Sequence, residues 1–340
     1  MVESVHSAMA QEISESPDVA SRIVSNRGVI VDLARRLSIG AAPLAVLCGR
    51  GSSGHAGVFL RYLIETRLHL PVSACAPSVV TAFRKTVTLR NALFIVISQS
   101  GRSPDLIAAT QAARAAGART IAVVNTVPSP VADAAEFVIP IEAGPERSVA
   151  ATKTMIGSLV AGASLIAELA EDAALSSALE RLPERLHRAL LLDWSDVSDD
   201  LANASAVFVA SRGLGLSSAR EIALKITEVL RLPALGFSAA ELQHGARAAL
   251  SPKTPAIVLR LMDETAATVD RLAKELRERK IALHLCGGPR GTLPWLGDDH
   301  PPTDAIAMLV PAYRLIERTA RGWGFDPDRP PQLSKVTETF

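Results

Sequence analysis

Leu93-Phe94-Ile95-Val96-Ile97-Ser98-Gln99-Ser100-Gly101-Arg102-Ser103 is the stretch on which the fold turns. Its first five residues are all apolar, as in a strand covered on both faces of a parallel sheet. The run then gives way to hydroxyls and an amide. Pro104 suits the first position of a helix, and Asp105 to Gly117 carries the apolar spacing of that helix and ends on a glycine able to cap it. Strand, polar loop and helix together make half of a βαβ unit. Outward from it, Leu44 to Cys48, Thr120 to Asn125 and Phe137 to Ile141 are runs of the same kind. Ala206 to Ala210, Ala256 to Leu261 and Ile281 to Cys286 repeat the series, with Asp263 to Arg279 in the place of the helix. A shift of 162 residues (212 − 50 = 162) lays one series on the other with no gap. Arg50-Gly51 falls on Arg212-Gly213, Leu70-Pro71 on Leu232-Pro233, Leu93 to Ile97 on Pro255 to Leu259, and Thr120 to Val124 on Ala282 to Cys286. The chain reads as a tandem duplication: an α/β protein of two doubly wound parallel sheets, each with its ligand site at the carboxyl ends of its strands. The expected divisions are a helical N-terminal extension over 1–37, a first domain over 38–185 and a second over 186–340. Within the extension Ala8 to Leu37 is the helical part. Asp326-Pro327-Asp328-Arg329-Pro330-Pro331 ends the last helix and leaves an irregular tail to Phe340.

At 340 residues the chain has room for two such cores. A net charge of +1 with dispersed basic residues offers no electrostatic footprint for nucleic acid or an anionic membrane, so the expected partners are small molecules. Cys48, Cys75 and Cys286 are an odd number of thiols, and two of them end apolar runs. That suits buried cysteines in a reducing compartment and points to the cytoplasm. Met1 to Pro17 lacks the apolar core of a signal peptide. Thr154 to Ala167, bounded by Lys153 and Glu168, is 14 residues long, too short to span a bilayer, and is expected to be a buried helix.

Gly49-Arg50-Gly51-Ser52-Ser53-Gly54 satisfies the dinucleotide-binding pattern, but that site needs an acidic residue at the end of the second strand. Here that strand ends Cys75-Ala76-Pro77-Ser78, and no phosphate-binding GxxxxGK[ST] loop exists either; neither a nucleotide cofactor nor a metal is expected. Ser98 to Ser103, between a strand and a helix N-terminus, offers three hydroxyls and an amide and suits a phosphomonoester. The competing reading is a helix capped by Ser103, which accounts for one serine. The second copy has Arg260-Leu261-Met262-Asp263-Glu264-Thr265 in that place. It also has Lys225 and Glu228, at i and i+3 on a helix starting near Ser218, where the first copy has Leu63 and Thr66. From sequence alone a surface ion pair is the plainer reading of these two, and His244, taken singly, reads as structural. The divergence of the copies suggests that one half holds a ligand and the other carries out proton chemistry.

Six stretches in order resemble the SIS (sugar isomerase) family over nearly the whole chain. They are Glu12-Ile13-x-Glu15-x-Pro17, Gly51-Ser52-Ser53, Ser98-Gln99-Ser100-Gly101, Val149-Ala150-Ala151-Thr152-Lys153-Thr154, Glu241-Leu242-Gln243-His244-Gly245 and Leu333-Ser334-Lys335-Val336-Thr337-Glu338. The likeness is to two-domain members: the isomerase half of glucosamine-6-phosphate synthase, the stand-alone glucosamine-6-phosphate deaminases, and ketose/aldose isomerases. It implies two tandem SIS, flavodoxin-like domains. It implies that Ser98, Gln99, Ser100 and Ser103 hold a sugar phosphate, with Ser52, Ser53, Val149 and Ala151 also binding substrate. Glu228 would move a proton between C1 and C2, with Lys225 orienting it. His244, supplied across a homodimer interface in such relatives, would open the sugar ring, and Lys335 would contact the open chain or form an imine with it. These types suit the work, since a carboxylate can carry a proton between neighbouring carbons and histidine titrates near neutrality.

The family's synthases have Ser at the place of Ala151 and Thr at that of Ser103. They also carry a glutaminase domain, whereas this sequence goes from Met1-Val2-Glu3 directly into the extension. The resemblance therefore implies a glucosamine-6-phosphate deaminase. A ketose/aldose isomerase or deglycase on a related 6-phosphosugar is the alternative, and a non-catalytic sugar-phosphate sensor a more distant one.

Overall fold

The structure is a computed structural model, described here over residues 7–37 and 42–335. Val336, Thr337 and Glu338 of the terminal motif, Met1 to His6, and the first residues of the expected 38–185 domain lie outside the described residues. In chain order the elements are α1 Ala8–Ser14, α2 Ser16–Ser25, α3 Gly28–Arg36, β1 Ala45–Cys48, α4 Gly51–Leu63 with a π-helical turn Ile64–Leu68, β2 Val72–Ala74, α5 Ser78–Thr81, β3 Leu93–Ser98, α6 Pro104–Ala115, β4 Arg119–Val124, α7 Pro130–Ala134, β5 Phe137–Pro140 and α8 Lys153–Leu169. There follow α9 Ala173–Ala189, α10 Val197–Ala202, β6 Val207–Ser211, α11 Gly215–Leu230, β7 Ala234–Ser238, α12 Ala239–Leu242, β8 Ala256–Leu259, α13 Ala266–Glu278, β9 Leu283–Cys286, α14 Pro301–Ala307 and α15 Leu309–Gly322. Among the described residues no helix is long and apolar enough to cross a membrane.

The chain divides into two compact units. The first-copy unit comprises Asp18–Glu146, Lys153–Glu180 and Ser334–Phe340; the second-copy unit comprises Met1–Pro17, Arg147–Thr152 and Arg181–Leu333.

In the first-copy unit the described strands form one parallel sheet in the order β2-β1-β3-β4-β5. Val46, Cys48, Phe94, Val96, Ala122 and Val124 point to one face, where Leu106, Ala109 and Ala113 of α6 and Val131 of α7 cover them. Continuously apolar strands need such cover on both faces; α3 and α4 pack with α8, every residue of which from Lys153 to Ala167 is buried. α6 stops as its sequence predicts: Gly117 takes φ +84, and Ala118 N–H reaches back to Ala113 O at 3.0 Å.

In the second-copy unit the described strands run β7-β6-β8-β9, again parallel. Phe208, Ala210, Ala256, Val258 and Leu285 pack against Val269, Leu272, Ala273 and Leu276 of α13, while α11 lies on β6 and β7 and packs with α14 and α15. The N-terminal α1 belongs here. Asp328 accepts hydrogen bonds from the Ala8 and Met9 N–H groups at 2.8 and 2.7 Å, placing a carboxylate on the helix N-terminus, and the Ser7 hydroxyl donates to Glu317 at 2.7 Å.

The sheet registers test the repeat directly. Val46 pairs with Ser73 and Phe94, and Phe208 with Leu235 and Ala256, so each position differs by 162 (208 − 46, 235 − 73, 256 − 94). Beyond β8 the shift grows by one: Phe94 pairs with Thr120, whereas Ala256 pairs with Leu283, and 283 − 120 = 163. The core residues of α6 and α13 agree, since 269 − 106, 272 − 109 and 276 − 113 are all 163. The gapless match is therefore corrected. The second copy has one extra residue between β8 and α13, in the loop, because an insertion within a strand or helix would turn its apolar side chains off the core. α11 also begins at Gly215, ahead of the expected Ser218, immediately after a turn in which Gly213 has φ +63.

Asp304 on α14 gives this fold a pH signature. Its side chain, 1% exposed, bonds Arg185 Nη2 at 2.6 Å and accepts from the Asp299 N–H at 3.1 Å. Burial outweighs both partners and raises its pKa to about 6. As pH rises from about 4 the unfolded chain loses this proton first, so the folded state holds more protons up to about pH 6. The group's contribution to stability is thus complete at low pH and falls through that window. Urea titrations at pH 4 and pH 7 should show wild type losing on the order of 2 kcal/mol relative to Asp304→Asn between the two; a pH-independent difference would mean that Asp304 titrates as an ordinary carboxylate.

Candidate functional site

In the first-copy unit β1 and β3 are neighbours, with β2 beyond one and β4 beyond the other. The loops leaving their carboxyl ends bracket the switch-point crevice where doubly wound sheets take ligands. The loop after β1 is a tight turn. A Cβ on Gly49 would lie 2.7 Å from the Ser53 carbonyl oxygen, Gly51 has φ +50, and Gly54 N–H bonds Arg50 O at 3.2 Å. The glycines of the apparent dinucleotide motif thus serve this turn, and they place Ser52 and Ser53, both half-buried, in the first turn of α4.

The loop after β3 is shaped from within. Ser98 is buried and its Oγ accepts the Gly101 N–H at 3.0 Å, while Ser100 Oγ accepts the Arg102 N–H at 3.2 Å. Gly101 turns at φ +65, and a Cβ there would sit 2.2 Å from Ser129 Oγ. Ser103 is the N-cap of α6 through its carbonyl, which accepts from Leu106 and Ile107 N–H at 3.1 Å, but its hydroxyl makes no cap hydrogen bond. Capping therefore does not account for the Ser103 side chain. Gln99, Ser100 and Ser103 are half-buried at a helix N-terminus, where N–H groups favour an anion.

Arg50 stands beside this loop and escaped the sequence reading. Its Nε and Nη2 bond Asp105 Oδ2 at 2.9 and 2.8 Å, and Asp105 is a buried carboxylate in the first turn of α6. Lys335 also lies in this unit, its Nζ 2.8 Å from Glu146 Oε2. Glu146 is buried and further accepts the Thr154 N–H at 3.1 Å and the Thr154 hydroxyl at 2.7 Å, so it joins the start of α8 to Lys335.

In the second-copy unit α11 carries the pair singled out from the repeat. Lys225 Nζ is ion-paired with Glu228 and lies 3.6 Å from Glu221 Oε1. Lys225 is 1% exposed and Glu221 is fully buried, whereas Glu228 keeps 23% exposure, so the expectation of an ordinary surface pair is not met. Tyr313 OH donates to Glu221 at 3.3 Å. Glu221 was missed although the repeat contained the signal, since 221 − 162 = 59 and the first copy has Phe59 there.

His244 lies exposed on the turn after α12, its N–H bonded to Glu241 O at 3.0 Å. Val149 and Ala151 are half-buried on a segment pinned from two sides. Val149 N–H bonds Asp328 O at 3.0 Å, and Glu12 of the first quoted motif accepts from the Arg147 and Ser148 N–H groups. The crevice loop of this unit is closed on itself, Asp263 Oδ1 accepting the Thr265 N–H at 2.9 Å and hydroxyl at 2.6 Å. It offers a carboxylate where the first copy offers hydroxyls.

The sequence profile of the SIS domain matches residues 41–167 and 200–286. The isomerizing glutamine–fructose-6-phosphate aminotransferase of Symbiobacterium thermophilum is 32% identical over 304 residues, which are 84% of this chain and 50% of that one. The chain spans about half the length of the curated relatives it matches. A solved protein of Silicibacter pomeroyi DSS-3, described as a phosphosugar isomerase, is 34% identical and superposes with a TM-score of 0.90, covering 95% of this chain and 100% of that one. The glucosamine-6-phosphate deaminase of Thermotoga maritima shares the fold at 20% identity, with a TM-score of 0.80 over 98% of this chain and 100% of its own.

Gly101→Ala tests the first-copy loop as built. A side chain at φ +65 facing Ser129 should destabilise the protein by about 1–3 kcal/mol or displace the loop. Thermal melting should record the loss; an unchanged melting temperature would mean that the loop is not held in this conformation.

Proposed function

The chain belongs to the SIS domain family, and on that premise we propose that it is a phosphosugar aldose–ketose isomerase acting as a glucosamine-6-phosphate deaminase. The reaction opens the pyranose ring, shifts a proton between C1 and C2 to give the fructose imine, and hydrolyses the imine to fructose 6-phosphate and ammonia. The observation that carries this reading is the arrangement on α11: a wholly buried Lys225 between Glu221 and Glu228, with only Glu228 reaching solvent. A carboxylate fixed from behind and open in front suits a proton shuttle working at a carbon acid.

The remaining roles follow the chemistry of each side chain. Ser100, Ser103 and Gln99 supply uncharged donors at the α6 N-terminus for the phosphate, Ser98 shapes their loop, and Ser52 and Ser53 add donors from α4. Lys335 donates to a sugar oxygen from its seat on Glu146. His244 acts on the ring oxygen; its exposed turn agrees with delivery to a second copy of the chain in a homodimer. The amino-sugar assignment rests on the names of the relatives, and a ketose/aldose isomerase of a related 6-phosphosugar would use the same side chains.

Purified protein given glucosamine 6-phosphate, its galactosamine epimer and their N-acetylated forms should release ammonia and ketose phosphate from the first. Glucose 6-phosphate and galactose 6-phosphate are run beside them, and ketose phosphate formed from one of these alone, without ammonia from any amino sugar, would replace the deaminase reading by the isomerase one. Glu228→Gln should lower kcat by about 10²- to 10⁴-fold with the fold intact, and a near-normal kcat would remove Glu228 from the proton transfer. The double variant Ser100→Ala and Ser103→Ala should raise KM for every 6-phosphosugar while leaving binding of unphosphorylated sugars unchanged. Equal inorganic phosphate affinity in wild type and double variant would eliminate the hydroxyl cradle.

A further inference from the structure

Two thiols stand side by side where β1 and β2 end. Leu47 pairs with Ala74, and Cys75 N–H bonds Leu47 O at 2.8 Å, so Cys48 and Cys75 are the next pair in the parallel ladder. Directly paired residues point to the same face, where the Cys48 thiol donates to the Cys75 sulfur. Neighbouring strands lie about 4.8 Å apart, inside the roughly 4.4–6.8 Å between α-carbons that a disulfide spans. The pair is asymmetric. Cys48 is 1% exposed, whereas Cys75 is half-buried and lines a cavity of about 380 Å³ with Val79, Val80, Phe94 and Ala112. The hydrogen bond from Cys48, aided by the Arg50 charge, holds the Cys75 thiol below the usual range, and the same bond together with burial pushes Cys48 up.

We propose that Cys75 is a site of oxidation by hydroperoxides and that Cys48 is its resolving thiol. The Cys75 thiolate attacks the peroxide, the O–O bond breaks, and Cys75 becomes a sulfenic acid as the other oxygen takes a proton and leaves, as water from hydrogen peroxide or as the alcohol from an organic hydroperoxide. The Cys48 sulfur then displaces the sulfenic hydroxyl, its proton leaving with that hydroxyl as water. The two sulfurs are joined, and the peroxide has taken up two electrons. The assignment is independent of the sugar-phosphate reading.

The full chain, reduced and then treated with limiting hydrogen peroxide, is alkylated and analysed by intact mass and peptide mapping. A Cys48–Cys75 link is expected, with the protein lighter by two hydrogens, reversal by dithiothreitol, and Cys286, buried at the end of β9, still available to alkylation after denaturation. In Cys48→Ser the sulfenic acid on Cys75 should persist and be trapped by dimedone; in Cys75→Ser, Cys48 should stay reduced. Circular dichroism shows whether each variant is folded, and the wild-type map decides the question alone if either is not. Cys75 left unmodified at peroxide doses that oxidise Cys286, or Cys75 oxidised to a sulfinic acid in wild type with no disulfide, would overturn the proposal.

Discussion

Parallel strands can be joined only by crossovers that return over one face of the sheet, and those crossovers are right-handed. That constraint places every loop discussed above. In each copy the first strand becomes central, the second is laid to one side and the third to the other, so the order β2-β1-β3 recurs as β7-β6-β8. The loops leaving the first and third strands then stand together at the carboxyl edge, each ahead of a helix N-terminus. Sheet and helices are held by apolar cores that tolerate little change. The loops are held by a few internal bonds, such as Gly101 N–H to Ser98 Oγ or Thr265 N–H to Asp263 Oδ1, which can be exchanged for others without moving a strand.

Within that frame the polar chemistry rests on buried carboxylates. Asp105, Glu146 and Glu221 are all buried, and each holds a cation: Arg50, Lys335 and Lys225 respectively. In the Lys225–Glu221 pair both charges are out of water, which costs about as much as their attraction returns, so this pair is a poor candidate for a stabilising device. Apolar residues would fill the positions more simply, as Phe59 and Leu63 do in the first copy. What the pairs provide is position. Asp105 fixes the Arg50 guanidinium beside the hydroxyl loop, and Lys225, anchored by Glu221, fixes the Glu228 carboxylate.

Much of this was legible in the chain. The apolar runs located the strands, the gap between Ile97 and Pro104 located the polar loop ahead of α6, and the polar replacements in the second copy drew attention to Lys225 and Glu228. Other features were hidden for physical reasons. The extra residue between β8 and α13 escaped notice because Ala282 to Cys286 has apolar residues at most positions in either register, and the pairing of Ala256 with Leu283 distinguishes them. Glu146 and Lys335 are 189 positions apart, beyond the reach of any local spacing rule. Ser103 sits where a capping serine belongs, and its side chain makes no cap hydrogen bond, which the sequence could not show. Glu221 was within reach, since an acid facing Phe59 across the repeat is a larger departure than Thr66 to Glu228.

The extra residue and the acidic Asp263 fall in the same loop, and that coincidence has a structural basis. A duplicated sheet begins with two equivalent strand-to-helix loops at its carboxyl edge, each lined by side chains and backbone N–H groups that lie outside the core. Converting one of them requires only that the loop find a new set of internal bonds, because the strand before it and the helix after it keep their cores. In the second copy β8 and α13 pack as β3 and α6 do, while Asp263 accepts the Thr265 N–H and hydroxyl within the loop. A carboxylate there repels phosphate as well as occupying its donors. In the same copy α11 carries Glu221, Lys225 and Glu228 where the first copy has Phe59, Leu63 and Thr66.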